Sequence, residues 1–299
     1  MIEKRRGSEH SPPYFGLLFL SVSFVCFVGN SAAQDLESIR SSIASGNAEM
    51  KRNALSQIRN LHTEAASRLA VPALSDTNLL VRATAASAVI FLPKTEAAQS
   101  LTPLLDDKVE FVRGEAAFAL GEVGEAAATA PLIRALEKDR SLVVRAAAAT
   151  ALGKIGDVSA VAPLAETFHA KPTETNEFLR RCAAHAIGLI AETLRGQKRT
   201  TTTPENFLPD KYKQGFSQPA QANRVVIDQS SAFRLATATL VTVLQNPKES
   251  DDTRREAAFA LGTIGDPTSI PALRLHLDAP DNYLAEICKE ALLKLERLK

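Results

Sequence analysis

Histidine and cysteine are the residue types in this sequence best suited to bind a metal or to act as nucleophiles. None lies in an HExxH, a CxxC or a glycine-rich phosphate loop, and no G-x-S-x-G elbow occurs. Cys182 and His185 form the one local thiol and imidazole pair, three residues apart and therefore neighbours on a helix. No third group that would orient the imidazole is visible. We predict no catalytic residue, no cofactor and no metal site. The histidines are His10, His62, His169, His185 and His276.

Composition favours helices and argues against a nucleic-acid partner. Apolar residues make up 45% of the 299-residue chain, which is enough for a buried core, and the sequence contains long tracts of Ala and Leu with no Trp. The chain carries 35 basic and 34 acidic residues. This balance provides no net field to attract a polyanion, so we expect neither DNA nor RNA as the main partner.

The N-terminus has the pattern of a secretory signal peptide. Three basic residues at 4–6 precede an apolar run at 14–28, and Ser31 and Ala33 supply the small residues that signal peptidase requires. We predict residues 1–33 to be a signal peptide, with a mature chain that begins near Gln34 in the periplasm or outside the cell. The alternative is an uncleaved membrane anchor, although the apolar run is shorter than the ~20 residues that span a bilayer.

A phrase of thirteen residues recurs along the chain. VRGEAAFALGEVG at 112–124 and TRREAAFALGTIG at 253–265 agree at nine positions, and related phrases surround three further arginines. Their spacing is 31 to 35 residues, apart from a last step of 74 that contains a polar stretch at 196–230. An apolar segment with a proline near its start precedes each phrase, and several phrases end in glycine. Each unit therefore reads as helix, turn, helix, and we count about seven pairs.

An acidic residue lies six positions before several of the repeated arginines. An aspartate in that turn can cap the second helix, and an arginine at the helix start can reach acids and carbonyls of its own turn and of the adjoining one. We predict that these residues form a structural ladder between units. The ladder comprises Asp76, Arg82, Asp107, Arg113, Asp139, Arg145, Arg180 and Arg254, and Glu174 precedes Arg180 at the same spacing. Both terminal units lack the arginine, with Ala48 and Ala285 in its register position.

The pattern D-x5-R-x2-A-x3-L-G after a proline-led helix resembles HEAT repeats, specifically the short HEAT-like repeats of the phycobilisome-lyase type. The resemblance covers about residues 35–299 apart from 196–230, and it implies an all-α, right-handed solenoid of six to seven helical hairpins at 34–299. Scaffolds, adaptors, lyases and hydroxylases share this fold, so it does not decide the function. HEAT-like hydroxylases of the deoxyhypusine type bind iron through repeated His-Glu dipeptides. This sequence has none, so we exclude that activity.

Helical periodicity separates the two faces of the second helix in each unit. With the repeated arginine as position 0, positions +3, +7 and +10 or +11 form a buried stripe, and +1, +2, +5 and +9 lie opposite. In HEAT-like stacks the opposite face is the concave surface. The residues there that exceed the needs of stacking are our partner-binding candidates, Glu115, Phe118, His185, Glu256 and Phe259. Alternatively, each Phe folds sideways over Ala or Gly of the adjoining helix.

These observations favour a non-enzymatic, exported scaffold or adaptor that binds a protein or peptide on its concave face. The alternative is a bilin-lyase-like or other ligand-handling enzyme that uses the same groove. A third possibility is a module tethered to a membrane by a retained N-terminal segment.

Two further features of the sequence give expectations. The stretch at 196–230 reads as a polar loop whose Phe207, Tyr212 and Phe216, with Lys211 and Lys213 between them, could grip a partner, or as an excursion that the solenoid tolerates. Cys182 and Cys288 are expected to remain unpaired, because a complete unit separates their helices.

Overall fold

The computed structural model describes residues 36–196, 227 and 230–297, and within these ranges the regular structure is helical without strands. The proposed signal peptide at 1–33 and nearly all of the insertion at 196–230, including its aromatic residues, lie outside the described residues. The described helices form seven consecutive pairs. In each pair an odd-numbered first helix precedes an even-numbered second helix: α1 (36–44) and α2 (Ala48–Leu61), α3 (Glu64–Ala70) and α4 (Leu79–Ala88), α5 (Lys94–Leu101) and α6 (Glu110–Val123), α7 (Thr129–Lys138) and α8 (Leu142–Ile155), α9 (Val161–Glu166) and α10 (Glu177–Leu194), α11 (Ser231–Gln245) and α12 (Asp251–Ile264), α13 (Ile270–Arg274) and α14 (Asn282–Arg297).

Short 3₁₀ turns adjoin most of the first helices, and three of them contain a proline. Proline occupies one of the first two positions of Val71–Ser75, Thr102–Asp106 and Pro267–Ser269, where its missing amide leaves no bond unmade. At the other end of the unit, Gly124, Gly156 and Gly265 close α6, α8 and α12. Their φ angles of 65°, 79° and 74° lie in the left-handed region, which glycine adopts without strain. Glycine thus marks the end of these units, as the sequence predicts, whereas Pro72 and Pro103 follow the first helix of their units and do not lie in its first turn.

The second helices pack against each other in one row. A Cβ added at Gly121 of α6 would lie 2.8 Å from the Cα of Ala151 in α8, so the two backbones come too close for any side chain at that position. Gly153 and Ala186 repeat this contact between α8 and α10, and Gly262 and Ala291 repeat it between α12 and α14. α10 and α12 also pack directly on each other. The row is therefore continuous across the insertion.

Arginine and aspartate connect neighbouring units on the side of the turns. Arg82 donates two hydrogen bonds of 2.7 and 2.9 Å to the Asp107 carboxylate of the next unit, and Arg113 binds Asp139 with the same distances. Burial opposes the charged form of each aspartate most strongly. The paired guanidinium and a nearby backbone amide outweigh it, so the pKa of Asp107 and Asp139 lies below the usual range. Two-bond pairs of this kind fix one unit relative to the next.

The aspartates do not cap the second helices. The capping side chains are Asn78 before α4 and Ser141 before α8, whereas Val109 before α6 provides no side-chain bond. Asp107 and Asp139 instead accept the amide of the residue two positions later, both at 2.8 Å. They stabilise the turn rather than the first turn of the helix.

Departures from the repeat appear at both ends of the ladder. Lys51 takes the arginine position in the first unit, since its Nζ lies 2.7 Å from Asp76 and lowers the pKa of that carboxyl. Lys51, not Ala48, therefore marks the register of α2. The buried Arg180 binds Glu249 across the insertion rather than Glu174 of its own turn.

Arg145 and Arg254 bind backbone carbonyls in place of an acid from the following unit. Arg145 Nε donates to the Leu136 carbonyl at 2.6 Å, and Arg254 Nε donates to the Leu244 carbonyl at 3.0 Å. Next to Arg254, Arg255 makes the connection to the last unit with bonds of 2.8 and 2.9 Å to Asp281.

Candidate functional site

One surface of the second helices collects the residues that lie opposite the buried stripe. Helical positions +2, +5 and +9, together with position −2, fall within about 60° of one another when each residue advances by ~100°. These four positions of the even-numbered helices α4 to α14 form one surface, which we call the second-helix face. Position +3 of the same helices faces the core, as the burial of Ala85, Ala116 and Ala257 shows.

Position −2 carries a stripe of exposed apolar side chains along the second-helix face. Position −2 is the second residue of each of the six second helices α4, α6, α8, α10, α12 and α14. In five of them this residue is large, apolar and exposed to solvent, and in α12 it is Asp252. We call these five residues the apolar stripe: Leu80, Phe111, Val143, Phe178 and Tyr283, which are 40 to 73% exposed. Our sequence reasoning missed them because it counted forward from the arginine. The signal itself, an apolar residue two positions before it, is present in the sequence.

Three of the predicted candidates meet between α10 and α12. His185 Nδ1 lies 2.7 Å from Glu256 Oε2, and the His185 ring stacks on Phe259 with centroids 5.5 Å apart. The Phe259 ring also covers Gly188, where an added Cβ would lie 2.5 Å from the Phe259 ring. On the other side, Lys294 Nζ is 5.1 Å from the centroid of that ring. The imidazole, carboxylate and phenyl groups thus form one ordered cluster.

A network of charges surrounds this cluster. Arg181 Nη1 lies 3.0 Å from Asp252, and Arg255 Nη1 lies 2.7 Å from the same carboxylate. The two guanidinium groups also cover aromatic rings of the apolar stripe, with Arg181 5.3 Å from Phe178 and Arg255 5.3 Å from Tyr283. Together with the His185 cluster they line a cavity of about 450 Å³ that spans α10, α12 and α14. We call this cavity the C-terminal cleft.

The other two candidates, Glu115 and Phe118, lie on α6 and are not brought together with the cleft residues. Glu115 forms no hydrogen bond or ion pair within the described residues, and burial raises the pKa of its carboxyl, with Arg59 acting in the opposite direction. Phe118 is 44% exposed, and Lys154 Nζ lies 4.4 Å above its ring. The alternative of a sideways fold over glycine therefore describes Phe259 and not Phe118.

The two thiols are unpaired and have low reactivity. Burial raises the pKa of the Cys182 thiol, and burial raises the pKa of Cys288 to about 11. Both sulfurs are therefore protonated near neutral pH, and a protonated thiol is a poor nucleophile. Among the described residues no group of three His, Cys, Asp or Glu side chains is arranged to hold a metal ion. No described helix is both long and apolar enough to cross a membrane.

Comparison with protein families agrees with this architecture. The family model for HEAT repeats matches residues 36–121 and 110–188, which together make up half of the chain, and the model for the PBS lyase HEAT-like repeat matches residues 253–279. The chain belongs to the HEAT-repeat family.

Individual relatives of this HEAT-repeat protein are distant. Chicken (Gallus gallus) deoxyhypusine hydroxylase is 39% identical over 66 residues, which is 22% of this chain and 22% of the chicken protein. Human deoxyhypusine hydroxylase is 20% identical with a TM-score of 0.37, over 88% of this chain and 84% of the human one. The complex of CpcE and CpcF of phycocyanin lyase from Nostoc sp. PCC7120 is 19% identical with a TM-score of 0.46, over 100% of this chain and 97% of that one.

Proposed function

We propose that this HEAT-repeat protein is an exported, non-enzymatic scaffold or adaptor that binds an extended segment of a partner protein on its second-helix face. The apolar stripe is the observation that carries the proposal. Five large side chains at equivalent positions remain exposed although they contribute little to the core. Aromatic residues held on a rigid surface are typical anchors for protein partners, and three members of the stripe are aromatic.

The spacing of the stripe suggests the conformation of the partner. Packed helices are ~8 to 10 Å apart, so successive members of the stripe are separated by about that distance. A polyproline II segment has three residues per turn and rises ~3.1 Å per residue, which places every third side chain on one side at ~9 Å intervals. We therefore expect a partner segment with an apolar residue at every third position and a polar residue opposite Asp252.

The C-terminal cleft supplies the polar part of the same surface. Its ion pairs hold Arg181 and Arg255 against Phe178 and Tyr283, so these long side chains lose little additional freedom when a partner binds. The carbonyl groups of an extended segment would find donors in these guanidinium groups. The predicted candidates His185, Glu256 and Phe259 form the floor of this region.

Export is supported by the composition of residues 1–33. The mature protein isolated from its native source should begin at or near Gln34, which N-terminal sequencing would determine directly. A retained residue 1 in the membrane fraction would contradict export as a released protein and favour the tethered alternative.

The enzymatic alternative finds no comparable support. A bilin-lyase-like or ligand-handling enzyme would need a reactive thiol or acid on the second-helix face. Cys182 lies at position +2 of that face, but burial raises the pKa of its thiol and so leaves it protonated. Burial also raises the pKa of the acid Glu115 on the same face, and that carboxyl forms no hydrogen bond with a described residue that would orient it.

The binding proposal is tested by capture of partners from the exported fraction with wild type and two variants. A partner counts only if wild type captures it and also binds it after the partner has been purified. Phe111→Ser/Phe178→Ser should fail to capture that partner. Leu275→Ser removes an apolar side chain that is 73% exposed beside α13, outside the second-helix face, and should retain it. All three proteins should melt at similar temperatures because the replaced side chains are exposed. Equal capture by the stripe variant and wild type would contradict the proposal.

A further inference from the structure

A second cavity lies on the turn side of the solenoid, away from the second-helix face. It has a volume of about 540 Å³ and lies between the end of the α5 segment, the turn that follows it, and α7 with its own turn. Five basic side chains line it: the buried Arg113 and the exposed Lys108, Arg134, Lys138 and Arg140. We call this cavity the basic groove.

Apart from Arg113, which is buried and bound to Asp139, the basic residues of the groove are exposed and form no direct ion pair with a described residue. Among these four, the one hydrogen bond within the described residues is from Arg140 to the Lys108 carbonyl, at 3.1 Å. Four unpaired cations in one cavity create a local positive potential although the whole chain is nearly neutral.

The acidic residues of the groove cancel only part of this potential. Asp107 and Asp139 lie in its wall, but each is already bound through two hydrogen bonds, Asp107 to Arg82 and Asp139 to Arg113. The only other acid in the lining is the exposed Asp106. The lining therefore carries five basic and three acidic side chains, which leaves it with an excess of two positive charges.

We propose that the basic groove binds an acidic segment of a second protein, with Arg134 and Arg140 donating to its carboxylates and the two lysines completing the charge balance. Arginine matches a carboxylate with two parallel bonds, as Arg113 does in the wall of the same groove. The stretch at 197–229 of this chain has five basic and three acidic residues, so it does not supply the acidic segment. The site is separate from the second-helix face, and its failure would leave the proposed function unaffected.

Binding of a fluorescein-labelled octaglutamate peptide to the full chain, followed by fluorescence anisotropy at low salt, tests this proposal. Arg134→Glu/Lys138→Glu should raise the Kd by about tenfold or more, because it reverses two of the four exposed positive charges. Lys94→Glu/Arg274→Glu makes the same change in net charge at exposed sites outside the groove lining, at the start of α5 and on α13. It should change the Kd less than about threefold, since exposed charges at a distance are screened.

Several results would overturn the proposal. These are no peptide binding by wild type, equal weakening in both variants, displacement of the peptide by inorganic phosphate at matched ionic strength, or tighter binding of a single-stranded oligonucleotide through the same residues. Thermal melting checks that the variants fold. Should the charge-reversal variant melt early, Arg134→Gln/Lys138→Gln takes its place, with a smaller rise in Kd expected.

Discussion

The recurring thirteen-residue phrase has nearly the same sequence in α6 and α12, yet its two copies make different contacts. Arg113 of α6 forms a two-bond ion pair with Asp139 of the next unit. The equivalent Arg254 of α12 binds a backbone carbonyl, and the neighbouring Arg255 connects to the last unit instead. The same arginine thus stabilises the junction between units in one copy and the turn of its own unit in the other.

The phenylalanines of the two copies differ for a reason that lies in the preceding unit. Phe259 fills the space above Gly188, which lies at position +8 of α10. At the same count after Arg82 the chain has the partly buried Ile90, which follows the end of α4, so no glycine is present there and Phe118 remains exposed. The role of a repeated residue therefore depends on which residue the neighbouring unit presents.

The largest expected difference between the two copies concerns the arginines. Arg113→Ala leaves Asp139 buried without its partner and should lower the free energy of unfolding by about 3 to 5 kcal/mol. Arg254→Ala removes a bond to a carbonyl and an ion pair with the exposed Asp251, and it should cost ~1 to 2 kcal/mol. Urea unfolding followed by circular dichroism measures both. Equal losses in the two variants would show that the copies do not differ as described.

A smaller difference is expected between the phenylalanines. Phe259→Ala removes a ring packed on Gly188 and His185 and should cost about 2 kcal/mol, less than the ~3 to 5 kcal/mol of a fully buried ring. Phe118→Ala should cost less than ~1 kcal/mol because its ring is 44% exposed. Gly188→Ala displaces the Phe259 ring without removing it and serves as an independent check. A loss for Phe118→Ala as large as for Phe259→Ala would refute the comparison.

The two glutamates should respond with opposite signs. Glu256→Gln weakens the bond to the half-buried His185 and should cost about 1 kcal/mol or less at pH 7. Glu115→Gln removes a charge that burial disfavours and should leave stability unchanged or slightly higher.

The pH dependence of the Glu115 variant gives a sharper result. Folding raises the pKa of Glu115 above its value in the unfolded chain, which is near 4.5. Ionisation of Glu115 therefore lowers the free energy of unfolding of the wild type only at pH values above about 4.5. The cost develops as the pH rises through the folded pKa. The advantage of Glu115→Gln in the free energy of unfolding should therefore be greatest near pH 7 and disappear near pH 4. An advantage that stays constant over this range would contradict the assigned cause.

The fold could be predicted because each unit repeats residues with strict physical roles. Proline within the first segment, arginine in the first turns of the second helix and glycine at its end each have few substitutes. The register of the first unit could not be found this way, because Lys51 replaces the arginine and only its contact with Asp76 reveals the equivalence.

The candidate site was predictable only in part. Helical periodicity identifies the face that carries Glu115, Phe118, His185, Glu256 and Phe259, but not which of them meet. That depends on the pairing of α10 with α12, which the insertion at 196–230 conceals in the sequence. The apolar residues of the stripe can be recognised in the sequence, two positions before the register position of the repeated arginine. That solvent reaches them depends on how the units pack, and the sequence does not show this.

The central claim is that the second-helix face is where a partner binds. Site-specific photo-crosslinking tests it most directly, with a benzophenone amino acid placed at Phe178 in the apolar stripe and, as a matched control, at the exposed Leu275. We predict a discrete covalent adduct with one partner from position 178 and none from position 275. Absence of an adduct at 178, or the same adducts from both positions, would contradict the claim.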